Sequence, residues 1–216
     1  MKHMQYNNLF SNSQFGFIEG RSTILQILKV LDIWTEILNK NESIDVIYLD
    51  FMKAFDKVPH QRLLHKLKAY GIGSNIVTWM EDFLIGRKQQ VCVNGQLSQS
   101  VNVTSGIPQG SVLGPLLFVL YINDMPDKIK SNIFLFADDT KIFTNSSTDQ
   151  GIQDLQQDLD KLMDWSNNWL LKFHPSKCRV LDINTKEGNC NDYYLDDVPL
   201  EHSQCEKILE FISIIN

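Results

Sequence analysis

Residues 132–143 read NIFLFADDTKIF: two adjacent carboxylates, Asp138 and Asp139, interrupt a segment that is otherwise apolar. Apolar flanks of this length form strands, and the break between them predicts a strand–turn–strand hairpin over 133–143. Like charges held side by side near a core are costly unless a cation or hydrogen bonds offset them. Two readings follow, a polar hairpin turn or a metal site.

The rest of the chain supplies partners for that hairpin. IDVIYLDF (44–51) is a β-branched strand ending at Asp50. HQRLLHKLKAY (60–70) places Leu63, Leu64 and Leu67 at helical spacing after Pro59 and stops at Gly71, and 75–84 predicts a second helix. QQVCVNGQLSQSVNV (89–103) carries Asn-Gly between alternating segments, a hairpin signal. Residues 111–124 form a buried helix whose Pro115 suits its first turn. Residues 147–171 are amphipathic, with Ile152, Leu155, Leu159, Leu162 and Trp165 on one stripe, and 178–183 is a further strand. After 184 the pattern weakens, and KILEFISIIN closes the chain in an apolar run. Strands interleaved with helices in this order predict an α+β fold, an antiparallel sheet with the helices on one face.

A chain of 216 residues buries a real core. Its longest apolar run, VLGPLLFVLYI, holds Gly and Pro and is too short to cross a bilayer, and no signal peptide is expected at the polar start, so no membrane partner is predicted. Cys92, Cys178, Cys190 and Cys205 form no CxxC pair and read as reduced intracellular thiols without a zinc or disulfide framework. The net charge of −6 is unevenly spread: residues 51–70 hold five Lys/Arg and one Asp, whereas 182–216 hold eight Asp/Glu and two Lys/Arg. The basic stretch is either a solvated helix face or a nucleic-acid face on part of the surface.

An antiparallel sheet permits Asp50 to stand beside Asp138 and Asp139. Three hard oxygen donors at one sheet edge suit Mg²⁺. SGIPQGSVLGPLLF (105–118) holds Gly106, Gly110 and Gly114 with Pro108 and Pro115. Glycine lets a backbone pass close to a ligand, and Ser111 can cap the following helix. The alternative is a plain loop and helix start.

YLDFMKAFDKVPH, SGIPQGSVLGPLLF and FLFADDTKIF together resemble, in order and spacing, the palm motifs of reverse transcriptases, in particular those of non-LTR, jockey-like (LINE-type) retrotransposons. QFGFIEGRST (14–23) is similar to the fingers motif ahead of the palm, and WSNNWLLKFHPSKCRVL (165–181) to the motif behind it. The resemblance implies a right-hand polymerase fold with a ferredoxin-like palm and partial fingers over 1–184. It implies RNA-templated DNA synthesis, with RNA template, DNA primer and dNTP as partners. Asp50, Asp138 and Asp139 match the catalytic aspartates that hold two Mg²⁺ ions, Mn²⁺ substituting, with the Phe51 carbonyl as a further metal ligand. Phe55 matches the steric gate against a ribose 2′-hydroxyl, with a core Phe as its alternative. Gln109 and Gly110 match the loop near template and incoming nucleotide. Arg21 matches a phosphate contact from the fingers, with a surface arginine as the alternative. Lys177 matches the lysine that protonates departing pyrophosphate, against an exposed structural lysine.

Asp56 lies outside the metal set and is expected to pair with a Lys or Arg. Trp79, Trp165 and Trp169 are expected to pack rather than stack on bases. Residues 185–216 depart from the family: EKILEF (206–211) stands where a primer-gripping EKDLGV-like stretch is expected, His174 replaces an Asn, and no thumb or endonuclease is recognisable. The chain is therefore expected to be a truncated copy, its endonuclease and thumb belonging to a larger polyprotein. A catalytically inactive remnant that only folds or binds nucleic acid is the second reading, and a nucleotidyl cyclase the third. PQG and Phe55 speak against the cyclase. Localisation has no signal in the sequence; a nuclear step is implied by the resemblance alone.

Overall fold

The computed structural model describes residues 2–185 and 190–203. In chain order the elements are α1 (Lys2–Tyr6), α2 (Thr23–Leu38), β1 (Ile44–Leu49), α3 (Ala54–Lys57), α4 (His60–Ala69) and α5 (Ser74–Leu84). The short strands β2 (Lys88–Gln89), β3 (Cys92–Val93), β4 (Gln96–Leu97) and β5 (Val101–Asn102) precede α6 (Leu113–Ile122). Then come β6 (Asn132–Phe136), β7 (Asp139–Asn145), α7 (Asp149–Trp169), β8 (Arg179–Ile183), β9 (Tyr194–Leu195), β10 (Val198–Pro199) and β11 (Glu201–His202). The QFGF stretch, residues 14–17, runs beside β6 through a parallel bridge between Gln14 and Leu135.

Five strands form one sheet in the order β11-β8-β1-β7-β6. The expected antiparallel pattern holds from β8 to β6, whereas β11 joins β8 in parallel, so the sheet is mixed at that edge. Strand β1 lies at its centre with both faces covered. Ile47 and Leu49 pack into the larger core with residues of α4, α5, α6 and α7. Ile44 and Val46 face the opposite side, where Val30, Ile33, Trp34, Ile37 and Leu38 of α2 cover them. The one-faced arrangement expected from sequence is thus corrected: α2 takes the second face. A sheet with apolar residues on both sides of its central strand has to be covered twice.

Local chemistry explains the boundaries. Asn94 and Gly95 both have positive φ (50° and 78°), the geometry of a type I′ hairpin between Val93 and Gln96. Helix α6 is buried along nearly its whole length, with Pro115 in its first turn, and the Ser111 hydroxyl accepts the Gly114 N–H at 2.9 Å. Thr148 caps α7 by accepting from the Gly151 N–H at 3.1 Å. Leu155, Leu159 and Leu162 of the predicted stripe are fully buried, and Ile152 and Trp165 border them.

Two further results depart from the composition-level reading. Lys66, one of the basic residues of 51–70, is no surface charge. It is 3% exposed, ringed by Tyr121, Trp165 and Trp169, and bonds the Asp124 carboxylate. The polar stretch after 184 also contributes to the core: Tyr193 and Leu195 are fully buried, and a β9–β10 hairpin turns at Asp196-Asp197, both with positive φ. EKILEF and the run KILEFISIIN lie outside the described residues.

Candidate active site

The β1–β7 register places Leu49 opposite Thr140. One step further along both chains puts Asp50 beside Asp139, with Asp138 in the turn that joins β6 to β7. Residues far apart in sequence therefore meet at one sheet end. The carboxyls sense each other: Asp138 is pushed above its ordinary range by partial burial and then by the Asp50 charge. Asp139 is pushed up by desolvation first, then by Asp138 and Asp50, with Lys141 opposing. Anions that raise one another in this way form a site that favours protons or cations.

The turn between them is built rather than loose. Ala137 sits in the left-handed region, φ 54°, and Asp138 follows it. Gln14, 1% exposed, grips this turn from the neighbouring segment: its Oε1 accepts the N–H of Ala137 at 3.0 Å and of Gly16 at 2.7 Å. Its Nε2 reaches the Ala137 carbonyl at 3.4 Å. A Cβ at Gly16 would stand 2.4 Å from the Ala137 nitrogen, so only glycine lets the two backbones come this close. Neither Gln14 nor Gly16 was singled out by sequence reasoning. The QFGF run marked the segment, while the side chain that reaches the turn is a tertiary contact without a local signal.

Phe51 continues beyond β1 and bridges Phe173. The flanking bonds, His174 N–H to Asp50 O and Met52 N–H to Lys172 O, both at 2.8 Å, make Phe51 a non-hydrogen-bonded pair. Its own carbonyl therefore points away from Phe173. The Phe51 ring stacks on Phe173 with centroids 4.5 Å apart and anchors the strand end in the core. The donor set Asp50, Asp138, Asp139 and the Phe51 carbonyl is all oxygen, and it fits a hard divalent cation. Carboxylate oxygens from all three aspartates do not fall within 4.8 Å of one another; among the described residues the group that does is Asp182, Cys190 and His202.

Lys177, in the turn Pro175–Lys177, brings Nζ to 3.8 Å from Asp50 Oδ2 with both side chains half-exposed. Phe55 is partly buried and stacks on Phe118 at 4.6 Å, so one face is committed to packing. Its carbonyl accepts the Ile107 N–H at 2.8 Å, tying Phe55 to the PQG loop. Gly106, φ +90°, lies against α3, where a Cβ would meet the Asp56 carbonyl at 2.7 Å. Gln109 donates to the Asp56 carboxylate at 3.2 Å. Asp56 thus takes an amide where a Lys or Arg was expected, because α3 faces the loop rather than a basic helix. Gly110 is exposed with φ +77° and open space around it.

Arg21 is not brought to the carboxylates by any contact. It donates to the carbonyls of Ser11 and Gln14 and lines a cleft with Phe15, Leu25, Leu28, Lys29 and Asp32. Trp165 packs beside Phe51 as expected. Trp79 departs from the expectation of a packed core residue: it is 54% exposed on α5 with only Phe83 stacked on it.

This geometry has relatives. Residues 1–207 match the family model described as reverse transcriptase (RNA-dependent DNA polymerase). The chain belongs to the reverse transcriptase family. It is 32% identical over 205 residues to the RNA-directed DNA polymerase from mobile element jockey of Drosophila melanogaster, covering 91% of this chain and 22% of that protein. It is 30% identical over 212 residues to the probable RNA-directed DNA polymerase from transposon X-element of the same fly, 95% of this chain and 23% of that one. The chain thus spans about a fifth of the length of these relatives. Among solved structures, Candida tropicalis telomerase in complex with a fragment of telomeric RNA superposes with a TM-score of 0.64 at 14% identity, over 89% of this chain and 34% of that one. The apo form gives 0.64 at 13% identity over 93% and 38%. At that identity the likeness is one of fold, and it agrees with a reverse transcriptase palm and partial fingers. Reverse transcriptases as a family use divalent metals.

Proposed function

We propose that this chain is the palm and partial fingers, 1–184, of an RNA-directed DNA polymerase from a non-LTR retrotransposon. Its partners in this reading are an RNA template, a DNA primer, dNTP and the rest of a larger polyprotein. The observation that carries the reading is the β1–β7 register, which sets Asp50 beside Asp139 at the end of a doubly buried strand. Asp50, Asp138, Asp139 and the Phe51 carbonyl would hold two Mg²⁺ ions, or Mn²⁺ in their place. When bound, the ions lower the proton affinity of the attacking hydroxyl and stabilise charge on the leaving oxygen.

In the reaction the primer 3′-oxygen would form a bond to the α-phosphorus of a dNTP as its proton passes to solvent, and the bond from that phosphorus to the bridging oxygen would break. The electron pair leaves with pyrophosphate. Lys177, whose Nζ lies 3.8 Å from Asp50 Oδ2, would give that oxygen a proton in this reading. Phe55, its ring backed by Phe118, would exclude a 2′-hydroxyl in this reading. Gln109 and Gly110 offer an exposed loop to template and nucleotide, and the Gln109–Asp56 bond fixes its height above α3. Residues 185–216 are the start of the post-palm region in this proposal.

The test is primer extension on an RNA template by the purified chain, beside the double variant Asp138→Ala/Asp139→Ala and beside Phe55→Ala. Extension with dNTP that vanishes in the double variant supports the polymerase. NTP incorporation appearing only in Phe55→Ala supports the gate. Equal absence of extension from folded wild-type and double-variant chains establishes the inactive remnant instead.

A further inference from the structure

A second cluster of metal-ligating groups lies at the opposite region of the sheet, away from the catalytic carboxylates. Strands β1 and β8 set Asp45 directly opposite Asp182. Like charges directly opposite destabilise a sheet pair. Asp45 is fully buried. Its Oδ2 accepts from the Tyr193 hydroxyl at 2.7 Å and the Asn191 amide at 2.8 Å, while its Oδ1 is buried with no partner. Asp182 repeats the pattern: Oδ2 lies 2.6 Å from His202 Nδ1, and Oδ1 is buried with no partner. Two orphaned carboxylate oxygens on one face are an unusual debt for a small core to carry. Cys190 stands at the mouth of this pair, and donor atoms of Asp182, Cys190 and His202 all lie within 4.8 Å of one another.

We propose that Asp182, Cys190 and His202 form a binding site for a zinc-class divalent ion, which fastens the segment after β8 to the sheet. The chemistry of the donors selects the class. Thiolate and imidazole are poor ligands for Mg²⁺ and good ones for Zn²⁺ and Co²⁺, and a carboxylate completes a mixed set of the kind zinc accepts. A dication also neutralises the excess negative charge of Asp45 and Asp182. Desolvation, then the charges of Asp182, Asp45 and Asp192, push the Cys190 thiol above its ordinary range. Binding therefore releases the thiol proton and replaces the His202–Asp182 contact by two bonds to one ion. The consequence is structural. Residues 190–195 and β11 reach the sheet by few strand bonds, and a shared ion would join both to β8. The absence of any CxxC pair hid the site in sequence, because the three ligands come from a strand, a loop and an edge strand. This inference does not depend on the polymerase reading.

The experiment is titration of the full chain with Co²⁺ and, separately, Zn²⁺ under reducing conditions. One thiolate-bound Co²⁺ per chain is expected, identified by a thiolate-to-cobalt charge-transfer band in the near ultraviolet that oxygen-bound Co²⁺ at the aspartates does not give. Cys190→Ser should abolish the band, and His202→Ala should weaken Zn²⁺ binding by more than about tenfold. Cys92→Ser, at an exposed thiol outside the cluster, should leave both readouts unchanged. A charge-transfer band that survives in Cys190→Ser, or no stoichiometric binding by wild type, overturns the proposal. Anomalous scattering at the zinc edge from wild-type crystals needs no variant: density between the three side chains supports the site, and its absence there refutes it.

Discussion

Replacing Gln14 by leucine tests whether the carboxylate turn is held from outside the hairpin. The substitution keeps the side chain's bulk and removes its amide. Two buried N–H groups, of Gly16 and Ala137, then lose their acceptor, and the Ala137 carbonyl loses a long donor contact. Each stranded buried donor costs about 1–3 kcal/mol, so the pair costs about 2–6 kcal/mol. Leucine returns roughly 1–2 kcal/mol through burial of its apolar surface. The net loss centres on about 3 kcal/mol, which for a chain of this size lowers Tm by about 6–12 °C. Thermal denaturation followed by circular dichroism reads this directly. Gln14→Glu provides the control: it keeps an accepting oxygen but adds a charge beside Asp138 and Asp139. Its stability should recover as pH falls and that carboxyl takes up a proton. A Gln14→Leu protein as stable as wild type would refute the clamp, and so would a Gln14→Glu protein whose deficit does not change with pH.

Two other outcomes follow from the same electrostatics. The carboxyls of Asp138 and Asp139 titrate higher in the folded chain than their unfolded value of 3.8, so the stability they lend is present at low pH and lost as pH rises through the folded value. Asp139→Asn should therefore raise the metal-free Tm at neutral pH, with the gain fading in acid. Mg²⁺ at about 100 times its Kd should stabilise wild type by about 2.7 kcal/mol and the variant far less; a metal-free variant less stable than wild type at neutral pH would contradict this. Lys66 works in the other direction: burial lowers it from 10.5 to about 8 despite Asp124 and Asp127, so between those values the unfolded chain binds more protons and stability rises with pH. Denaturant titrations from pH 8 to 10 should show a slope of up to about 1.4 kcal/mol per pH unit that Lys66→Met removes. An unchanged slope in that variant would mean another group is responsible.

The elements with a period of their own could be read from sequence. The Asn-Gly hairpin, the apolar α6 with Pro115 in its first turn, the α7 stripe and the Asp138-Asp139 turn all emerge where local chemistry predicts them. Helix α2 has comparable signals, Ser22 as a cap and Val30, Trp34 and Ile37 at helical spacing, and it follows a motif that draws attention to itself. Its place on the second sheet face is a tertiary fact. The β9–β10 hairpin rests on strands of two residues each, too short for any alternation, and turns on Asp-Asp rather than Asn-Gly. Asp50, Asp138 and Asp139 were recognisable by motif, whereas their juxtaposition depends on a register that no local pattern states. Gln14, Lys66 and the trio Asp182, Cys190 and His202 act through partners distant in sequence, and for such contacts the residue type alone carries little information.

The double covering of β1 has a meaning for catalysis as well as for folding. Successive residues of a strand alternate faces, so sliding β1 by one position against β7 would send Ile47 and Leu49 into the α2 layer and Ile44 and Val46 into the other. Both cores forbid it. The same slip would carry Asp50 out of line with Asp139. The two cores act as a vernier that sets the spacing of the carboxylates. Loosening either one, even by a methyl group at Ile44 on the far face, should blur the site before it unfolds the chain.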